Sequence, residues 1–343
     1  MSGSDAERPK EADVLLRMTQ GFAVSQSLYV AADLGIADYL ADGALTAEDL
    51  AAKSGSHPGA LARLLRLLVA LGIMKGEEHN RFSLTPVGQL LRSDVPGSLR
   101  ATIRWLVGPW NWRAWENLSY SIRTSQPAFD HAWGISIFDY YECHGDISKI
   151  HDEGLEALTA QESSSILAAY DFSSFHTIVD VGGGNGALLA ALLRHHPAST
   201  GKLADLPHVV NPALDVLQRA GVANHCERIG SNFFESVPQG GDLYILKSII
   251  HDWDDARALT ILRNCHRAMD RSATLLLLER TLPDQPTLEA APRYLIDLTM
   301  LAIPGGRERT ETEFRRLLGS AGFELMRVIP TGGSLEIVEV RKE

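Results

Sequence analysis

The sequence predicts an α/β protein in which a mainly helical N-terminal domain precedes a mostly parallel, doubly wound sheet that ends in an antiparallel hairpin. The first observation is a strand, a glycine-rich loop and a helix start at residues 176–189, HTIVDVGGGNGALL. The second is the regular alternation of strand and helix patterns that follows this loop. The third is that the last two predicted strands, 323–330 and 334–342, are separated by three residues, which is too short for a parallel crossover.

Residues 10–92 are predicted to form the N-terminal domain, and they begin with helices. Apolar residues recur at helical spacing over 14–40. Thr46 is a predicted helix N-cap, with Asp49 as its partner three residues later. A second, strongly apolar helix follows at 60–71.

A two-stranded wing is predicted after these helices, because residues 74–91 alternate around a turn at His79 and Asn80. Winged-helix domains often read DNA, but the helix at 60–71 carries only two basic side chains. Its apolar surface favours burial against a second copy of the chain. We therefore predict a winged-helix dimerisation domain and a homodimer, with a ligand-responsive winged-helix regulator as the alternative.

Composition and charge limit the partners of the chain. A net charge of -11 argues against a nucleic-acid partner, because phosphate backbones are bound by clustered Lys and Arg. The N-terminal segment has no apolar core typical of a signal peptide, and no stretch reaches the roughly 18 apolar residues of a membrane span. The three cysteines match neither a disulfide framework nor a zinc spacing. We expect a cytoplasmic protein with reduced cysteines and no membrane partner.

The glycine-rich loop has an acidic residue on either side. Asp180 lies two residues before Gly182, and Asp205 ends the next predicted strand about twenty residues later. This pattern predicts an adenosine-containing cofactor held at its ribose hydroxyls. Two alternatives remain at this point. The glycines also satisfy the pattern G-x-G-x-x-G/A of dinucleotide-binding proteins. They can also have a purely structural role, in which they permit positive φ angles and close packing of the helix.

The regular alternation of the C-terminal half predicts five parallel strands. They are expected at 177–181, 202–204, about 226–229, 243–248 and 273–278.

A second group of polar residues follows these strands. An apolar segment ending at Ile250 is predicted to bring His251 to the carboxyl end of the sheet, where open α/β sheets bind ligands. Glu279 ends the next strand, and Glu308 lies in a loop before a helix, so both carboxylates can reach the same edge. A carboxylate bound to one ring nitrogen fixes the tautomer and leaves the other nitrogen free to accept a proton. A histidine that only caps or packs is the alternative.

These segments together resemble the plant-type family of S-adenosylmethionine-dependent O-methyltransferases, in particular its bacterial small-molecule branch. The resemblance covers nearly the whole chain and rests on VDVGGGNG, ADLPHVV, KSIIHDW and GGRERTETEF. It implies that residues 93–343 form a helical linker and a Rossmann-like class I methyltransferase domain. The C-terminal hairpin also favours such a sheet over a nicotinamide-binding one.

The resemblance further implies roles for individual residues. His251 would be the general base, flanked by Glu279 and Glu308, and no metal would be required. The residues that would bind S-adenosylmethionine, with S-adenosylhomocysteine as product, are Asp180, Gly182, Gly184, Asp205, Leu206, Asn232, Phe233 and Lys247. Asn232 stands where the family usually has an acidic residue against the adenine amine, and Ser248 stands where a Trp is common.

The acceptor is predicted to be a flat, largely hydrophobic phenol or polyketide. Residues 101–172 are rich in aromatic side chains, which can line a pocket or simply form a core. The candidates for acceptor binding are Trp105, Phe138, Asp252, Ile296, Met300 and Ile303. N-methylation, C-methylation and a non-methylating reaction on the same fold remain alternatives to O-methylation.

Overall fold

A computed structural model describes residues 10–343 and divides into two compact units, one that extends to Pro109 and one over Trp110–Glu343. The first unit is mainly helical. Its elements are α1 Lys10–Thr19, α2 Gly21–Asp33, α3 Ile36–Tyr39, β1 Leu45–Thr46, α4 Ala47–Ser54, α5 Pro58–Ala70, β2 Met74–Glu77, β3 Arg81–Leu84, α6 Pro86–Gln89 and α7 Arg100–Val107.

Local sequence signals explain the helices and the wing of this unit. The predicted cap is confirmed: the Thr46 hydroxyl accepts a hydrogen bond from the Asp49 N–H, and the Asp49 carboxylate accepts one from the Thr46 N–H. The predicted turn is also confirmed, because His79 and Asn80 both have positive φ and connect β2 to the antiparallel β3. The core lies between α3, α4, α5 and the wing.

The second unit begins with a helical segment and continues as an α/β sheet. The helices before the sheet are α8 Pro109–Glu116, α9 Leu118–Thr124, α10 Ala128–Trp133, α11 Ile137–Cys143 and α12 Gly145–Ala169. The sheet region contains β4 Thr177–Val181, α13 Ala187–His195, β5 Thr200–Asp205, α14 Pro207–Val210, α15 Ala213–Arg219, β6 Cys226–Gly230, β7 Leu243–Lys247, α16 Asp255–Ala268, β8 Thr274–Glu279, β9 Thr281–Leu282, α17 Ala291–Ala302, β10 Arg309–Thr310, α18 Glu311–Gly319, β11 Phe323–Pro330 and β12 Glu336–Lys342.

The main sheet has seven strands in the order β11-β12-β8-β7-β4-β5-β6. Strands β4 to β8 are parallel, whereas β12 pairs antiparallel with both β8 and β11. The prediction of a mostly parallel sheet with a C-terminal antiparallel hairpin is therefore confirmed. Apolar clusters cover both faces, which explains why the central strands β7 and β8 are almost entirely apolar.

This topology decides where the polar residues meet. The parallel strands β4, β5, β7 and β8 end at Val181, Asp205, Lys247 and Glu279, so their carboxyl ends share one edge. A separate two-stranded ladder pairs β9 with β10 directly after β8. Within residues 10–343, none of the helices is both long and apolar enough to span a bilayer.

Candidate active site

The glycine-rich loop after β4 forms one end of the site. Gly182 has a φ of 69° and Gly184 a φ of 58°, a backbone conformation that side chains with a Cβ rarely adopt. A Cβ on Gly182 would also lie 2.6 Å from Cδ1 of Ile249, which is closer than two carbon atoms can approach. Glycine at 182 and 184 therefore lets the loop take this shape without strain, and at 182 it lets the loop pack against Ile249 in the turn that follows β7.

The two acidic residues predicted to flank the loop are brought together at this edge. Asp205 accepts hydrogen bonds from the N–H groups of Gly184 at 2.8 Å and Leu206 at 2.6 Å. Asp180 is 1% exposed, and neither of its carboxylate oxygens has a hydrogen-bond partner. Burial, together with the nearby charge of Asp205, raises the pKa of Asp180 to about 7. Such a buried, unpartnered carboxyl group is ready for a donor that a ligand supplies.

A cavity of about 1190 Å³ opens at this edge of the sheet. Its volume exceeds that of a usual small-molecule site, roughly 300–1,000 Å³, so it can accommodate a cofactor and an acceptor together. Every residue predicted to bind the cofactor lines it: Asp180, Gly182, Gly184, Asp205, Leu206, Asn232, Phe233 and Lys247.

Helix α12 forms a wall of the cavity that the sequence patterns did not indicate. Its residue Thr159 accepts a hydrogen bond from Nζ of Lys247 at 3.1 Å, and Oε2 of Glu162 lies 2.9 Å from the same Nζ. Asn185 of the glycine-rich loop donates to Oε2 of Glu156 at 3.0 Å. The helix reaches Lys247 and the glycine-rich loop through contacts between residues that are far apart in sequence, so the prediction of a helical linker did not include these contacts.

His251 lies on a short turn rather than at the end of a strand, which corrects the expected boundary. Strand β7 ends at Lys247, and residues Ile250–Asp252 form a single 3₁₀ turn. The chain leaves the strand because Ser248 adopts a left-handed conformation, with a φ of 52°. The turn still places His251 at the carboxyl edge of the sheet, in a buried position.

The His251 ring is held by the two predicted glutamates. Its Nδ1 lies 2.8 Å from Oε1 of Glu308 and 3.8 Å from Oε2 of Glu279. The other carboxylate oxygen of Glu279 accepts hydrogen bonds from the N–H groups of Ile249 and Ile250. With Nδ1 donating to Glu308, Nε2 is the nitrogen that can accept a proton. This second nitrogen lies 3.5 Å from Oδ1 of Asp252.

The carboxylates around His251 change its basicity. Burial lowers the pKa of His251, but the charges of Glu279, Asp252 and Glu308 together outweigh burial and raise this pKa to about 9. Burial raises the pKa of Asp252 to about 7 and also raises the pKa of Glu279. The arrangement therefore makes the imidazole a stronger base than an ordinary histidine and stabilises the protonated ring.

The same three side chains also satisfy one geometric condition for a metal site. His251, Glu279 and Glu308 each offer a ligand atom, and these atoms lie within 4.8 Å of one another. Whether methyl transfer needs a metal ion is therefore tested by removing divalent metals from the protein.

The predicted acceptor residues divide into those that reach the cavity and those that do not. Phe138 and Asp252 line it, and the Phe138 ring stacks on Trp253 with 5.0 Å between ring centroids. Trp253, which the sequence places with His251 and Asp252 at the carboxyl end of the sheet, also lines the cavity, although it was not among the predicted acceptor residues. Trp105 lies on α7, which belongs to the first unit.

The residues of helix α17 that face the cavity are each one position after the predicted ones. Asp297 and Leu301 line the cavity, whereas Ile296, Met300 and Ile303 are not among its lining residues within 10–343. The helical period of 3.6 residues explains the difference, since positions four apart share a face and their neighbours turn away. Ile303 packs instead in an apolar cluster with Trp110, Phe129 and Tyr140, so the alternative of a core position applies to it.

Family models match both parts of the chain. Residues 16–94 match the O-methyltransferase dimerisation domain, and residues 115–324 match the O-methyltransferase domain. The chain is 42% identical to the phenazine O-methyltransferase of Lysobacter antibioticus over 330 residues, with 96% of each chain covered.

Two further similarities bear on the chemistry. The chain is 32% identical to an O-methyltransferase from neocarzinostatin biosynthesis whose crystal structure contains S-adenosylmethionine and 2-hydroxy-5-methyl naphthoic acid; the TM-score is 0.81, covering 94% of this chain and 96% of the other. It is also 32% identical to the 8-amino-8-demethylriboflavin N,N-dimethyltransferase of Streptomyces davaonensis, with 99% of each chain covered. Relatives of this chain therefore include both O- and N-methylating enzymes.

Proposed function

This chain belongs to the O-methyltransferase family and is an S-adenosylmethionine-dependent methyltransferase, and from that premise we propose that His251 is its general base for a small aromatic or polyketide-type hydroxyl acceptor. The observation that carries the proposal is the buried contact, 2.8 Å long, between Nδ1 of His251 and the Glu308 carboxylate. Glu308 and Asp252, on either side of the ring, line the cavity, whereas His251 is not among its lining residues within 10–343. S-adenosylmethionine supplies an activated methyl group when bound.

The residues around the glycine-rich loop fit this cofactor. The backbone of the loop leaves open space beside Gly184, where an added Cβ would meet nothing within 4 Å. Asp205 lies at the same loop and is proposed to bind the ribose hydroxyls. The unpartnered carboxyl group of Asp180 can accept a hydrogen bond from a donor of the cofactor, and Lys247, which lines the same cavity, is proposed to contact its methionine end.

His251 is proposed to take the acceptor proton at Nε2. A phenol has a pKa of about 10, so transfer to an ordinary histidine of pKa about 6.5 is uphill by roughly 5 kcal/mol. With the pKa of His251 raised to about 9, the mismatch falls to about one unit, or ~1.4 kcal/mol. The imidazolium that forms is stabilised by Glu308 and Glu279.

The same raised pKa adds a requirement. At neutral pH the ligand-free imidazole is mostly protonated, and it must release that proton before it can act as a base. We expect this release to accompany binding of the sulfonium cofactor, because a second positive charge nearby lowers the pKa of a histidine. That lowering gives back part of the gain in basicity, and the sulfonium offsets it because the same positive charge stabilises the forming phenolate.

A screen with isotope-labelled S-adenosylmethionine tests the proposed function. Phenols, flavonoids, phenazines and anthracyclines are offered to the wild-type protein and to the His251→Ala variant. Label transfer to a hydroxyl that falls sharply in the variant supports the proposal. Transfer to a hydroxyl at equal rates in both proteins would remove His251 as the base.

N-methylation is the second candidate, and it is favoured by the similarity to the riboflavin-type N,N-dimethyltransferase. An amine that attacks through its lone pair can lose its proton after methyl transfer, so it depends less on a base. The two candidates are separated by offering matched aminophenol and phenol acceptors and identifying the methylated atom by mass spectrometry and NMR.

The first unit is proposed to hold two chains together as a homodimer. The match to the dimerisation domain supports this, and so do apolar side chains of α1 and α2 that are largely exposed in the single chain, including Leu15 at 65%, Met18 at 65% and Phe22 at 62%. A cytoplasmic location is proposed as well. It is supported by the three cysteines, all of which are free thiols, as is usual in a reducing compartment.

The acceptor is proposed to lie near Phe138, Trp253 and Asp252. The stacked rings of Phe138 and Trp253 offer a flat apolar surface for an aromatic acceptor. Asp252 lies beside Nε2 of His251 and lines the cavity, so it faces the position proposed for the reacting hydroxyl.

A further inference from the structure

Arg309 is a charged side chain in the interior of the second unit. It is 1% exposed and is the largest of the fully buried side chains among residues 10–343. A buried guanidinium is costly unless its donors are satisfied. Arg309 meets this condition through the carbonyl oxygens of Ile250, Trp253 and Arg307 and through the carboxylate of Asp255.

The guanidinium of Arg309 holds the turn on both sides of His251. It donates to the carbonyl oxygen of Ile250 at 2.9 Å and to that of Trp253 at 2.9 Å. Two further bonds, at 3.1 and 2.9 Å, go to Oδ1 of Asp255, the first residue of α16. The planar fork of arginine suits such a set of partners, and a lysine ammonium cannot reproduce it.

The backbone just before Arg309 closes the same turn from another direction. The N–H of Arg307 donates to the carbonyl oxygen of His251 at 2.8 Å. A Cβ on Gly306 would lie 2.0 Å from that oxygen and 2.3 Å from the carbonyl carbon of Asp252. Any side chain at Gly306 must therefore push the two segments apart.

Glu308 lies between these contacts, which fixes its position relative to His251. Its own N–H donates to Oδ1 of Asp297 at 2.8 Å. Arg309 pairs with Thr281 in the β9–β10 ladder, two residues after Glu279. The segment 306–309 therefore holds Glu308 against the turn that carries His251, whereas Glu279 is held by β8 and by the N–H groups of Ile249 and Ile250.

We infer that Arg309 is a positioning residue for the methyl-transfer reaction, acting through the turn that carries His251 and supported by Gly306. The inference rests on the proposed function, because it assigns Arg309 an effect on the base and not on the acceptor or cofactor. Within residues 10–343, neither Arg309 nor Gly306 contributes to the hydrogen bonds of Asp180 and Asp205 at the cofactor end.

The test is a double-mutant cycle with Arg309→Lys and His251→Ala, measured as kcat and as the Kd for S-adenosylhomocysteine. Arg309→Lys is expected to lower kcat by roughly 10²-fold, the effect of displacing a catalytic group by about 1 Å, with Kd within about twofold. In the His251→Ala background the same substitution is expected to change kcat little, because the group that it positions is gone.

A second readout separates positioning from general damage to the fold. The acceptor is varied from an ordinary phenol to an electron-poor phenol that is already ionised at the assay pH. Loss of a positioned base matters less for the ionised acceptor, so the defect of Arg309→Lys should shrink. A fold that is merely loosened lowers the rates for both acceptors equally and weakens cofactor binding.

Two further variants complete the design. Gly306→Ala keeps every charge but displaces the turn, so it should reproduce the kcat loss and the acceptor dependence even if Arg309→Lys fails to fold. Because Gly306 also lines the cavity, the KM for the acceptor is measured beside kcat, and a change in KM alone counts against positioning of the base. Arg316→Lys is the matched control, since Arg316 lies 3.7 Å from the same Asp255 but its side chain is 70% exposed.

The possible outcomes are distinct. If the wild-type protein methylates a hydroxyl and His251→Ala impairs it, while Arg309→Lys and Gly306→Ala are as active as wild type, the inference is overturned and the proposed function stands. Equal losses for both acceptors, or a full additional loss in the His251→Ala background, also overturn it. If the wild-type protein transfers no methyl group to any hydroxyl, the proposed function itself fails.

Discussion

The Nδ1 atom of His251 lies 2.8 Å from Oε1 of Glu308, although the two residues are 57 positions apart in the chain. This contact orients the ring so that Nε2, the nitrogen beside Asp252, is the one free to accept a proton.

Replacing His251 with alanine should lower kcat by roughly 10²- to 10⁴-fold, the usual contribution of a positioned acid or base. The affinity for S-adenosylmethionine, measured by calorimetry, should change little. The loss should shrink as the pH approaches the pKa of the acceptor hydroxyl, because the acceptor then ionises without help. A deficit that is the same at every pH would indicate that His251 only shapes the pocket.

The value of kcat/KM for S-adenosylmethionine, which reports the ligand-free protein, should rise with pH toward about 9 in the wild-type protein, because below this pKa the imidazole of His251 is already protonated. Glu308→Gln removes a negative charge beside Nδ1, which lowers the pKa of His251. The rising limb should therefore move to lower pH, by about 1 to 3 units. Glu279→Gln should move it in the same direction, and both variants should retain more activity than His251→Ala. A rising limb at the same pH in the variants would contradict the proposal that the two glutamates raise the pKa of His251.

Replacing Asp205 with alanine should weaken S-adenosylmethionine binding by about 1.5 to 3 kcal/mol, the range for a hydrogen bond to a charged group. The variant also loses the bonds to Gly184 and Leu206 that shape the loop. Calorimetry measures the sum of the two effects as a change in affinity. Nicotinamide nucleotides serve as the control because they should not bind the wild-type protein. Tight nicotinamide binding would contradict the assignment of the loop.

Removal of divalent metals should leave the methyl-transfer rate unchanged, because the proposed proton transfer needs only His251 and its carboxylates. The assay compares protein treated with EDTA, then dialysed, with untreated protein. An activity that is lost on chelation and recovered with one added metal ion would reassign His251, Glu279 and Glu308 as ligands.

The purified protein should have twice the 37.5 kDa mass of one chain in solution. The physical reason is the exposed apolar surface of α1 and α2, which is too large to remain hydrated. Light scattering at micromolar concentration measures the mass. Phe22→Glu should produce monomers if this surface forms the contact, whereas a wild-type monomer would contradict the proposal.

Sequence patterns were sufficient wherever neighbours along the chain decide the structure. The Thr46 cap, the His79 and Asn80 turn and the C-terminal hairpin follow from side chains and backbone angles within a few residues. The glycine-rich loop is of the same kind, because its positive φ values are a local requirement. The edge that carries His251 then follows from the parallel arrangement of the strands, whereas the order of the strands was not predicted.

Tertiary structure decided the contacts between segments that the chain brings together from far apart. The sequence marked His251, Glu279 and Glu308 as possible neighbours, but the 2.8 Å bond depends on the fold around them. It gave no indication that Glu162 would meet Lys247, or that Arg309 would hold the His251 turn. Such contacts depend on how packed segments align to within an ångström, and a local pattern of residue types does not contain that information.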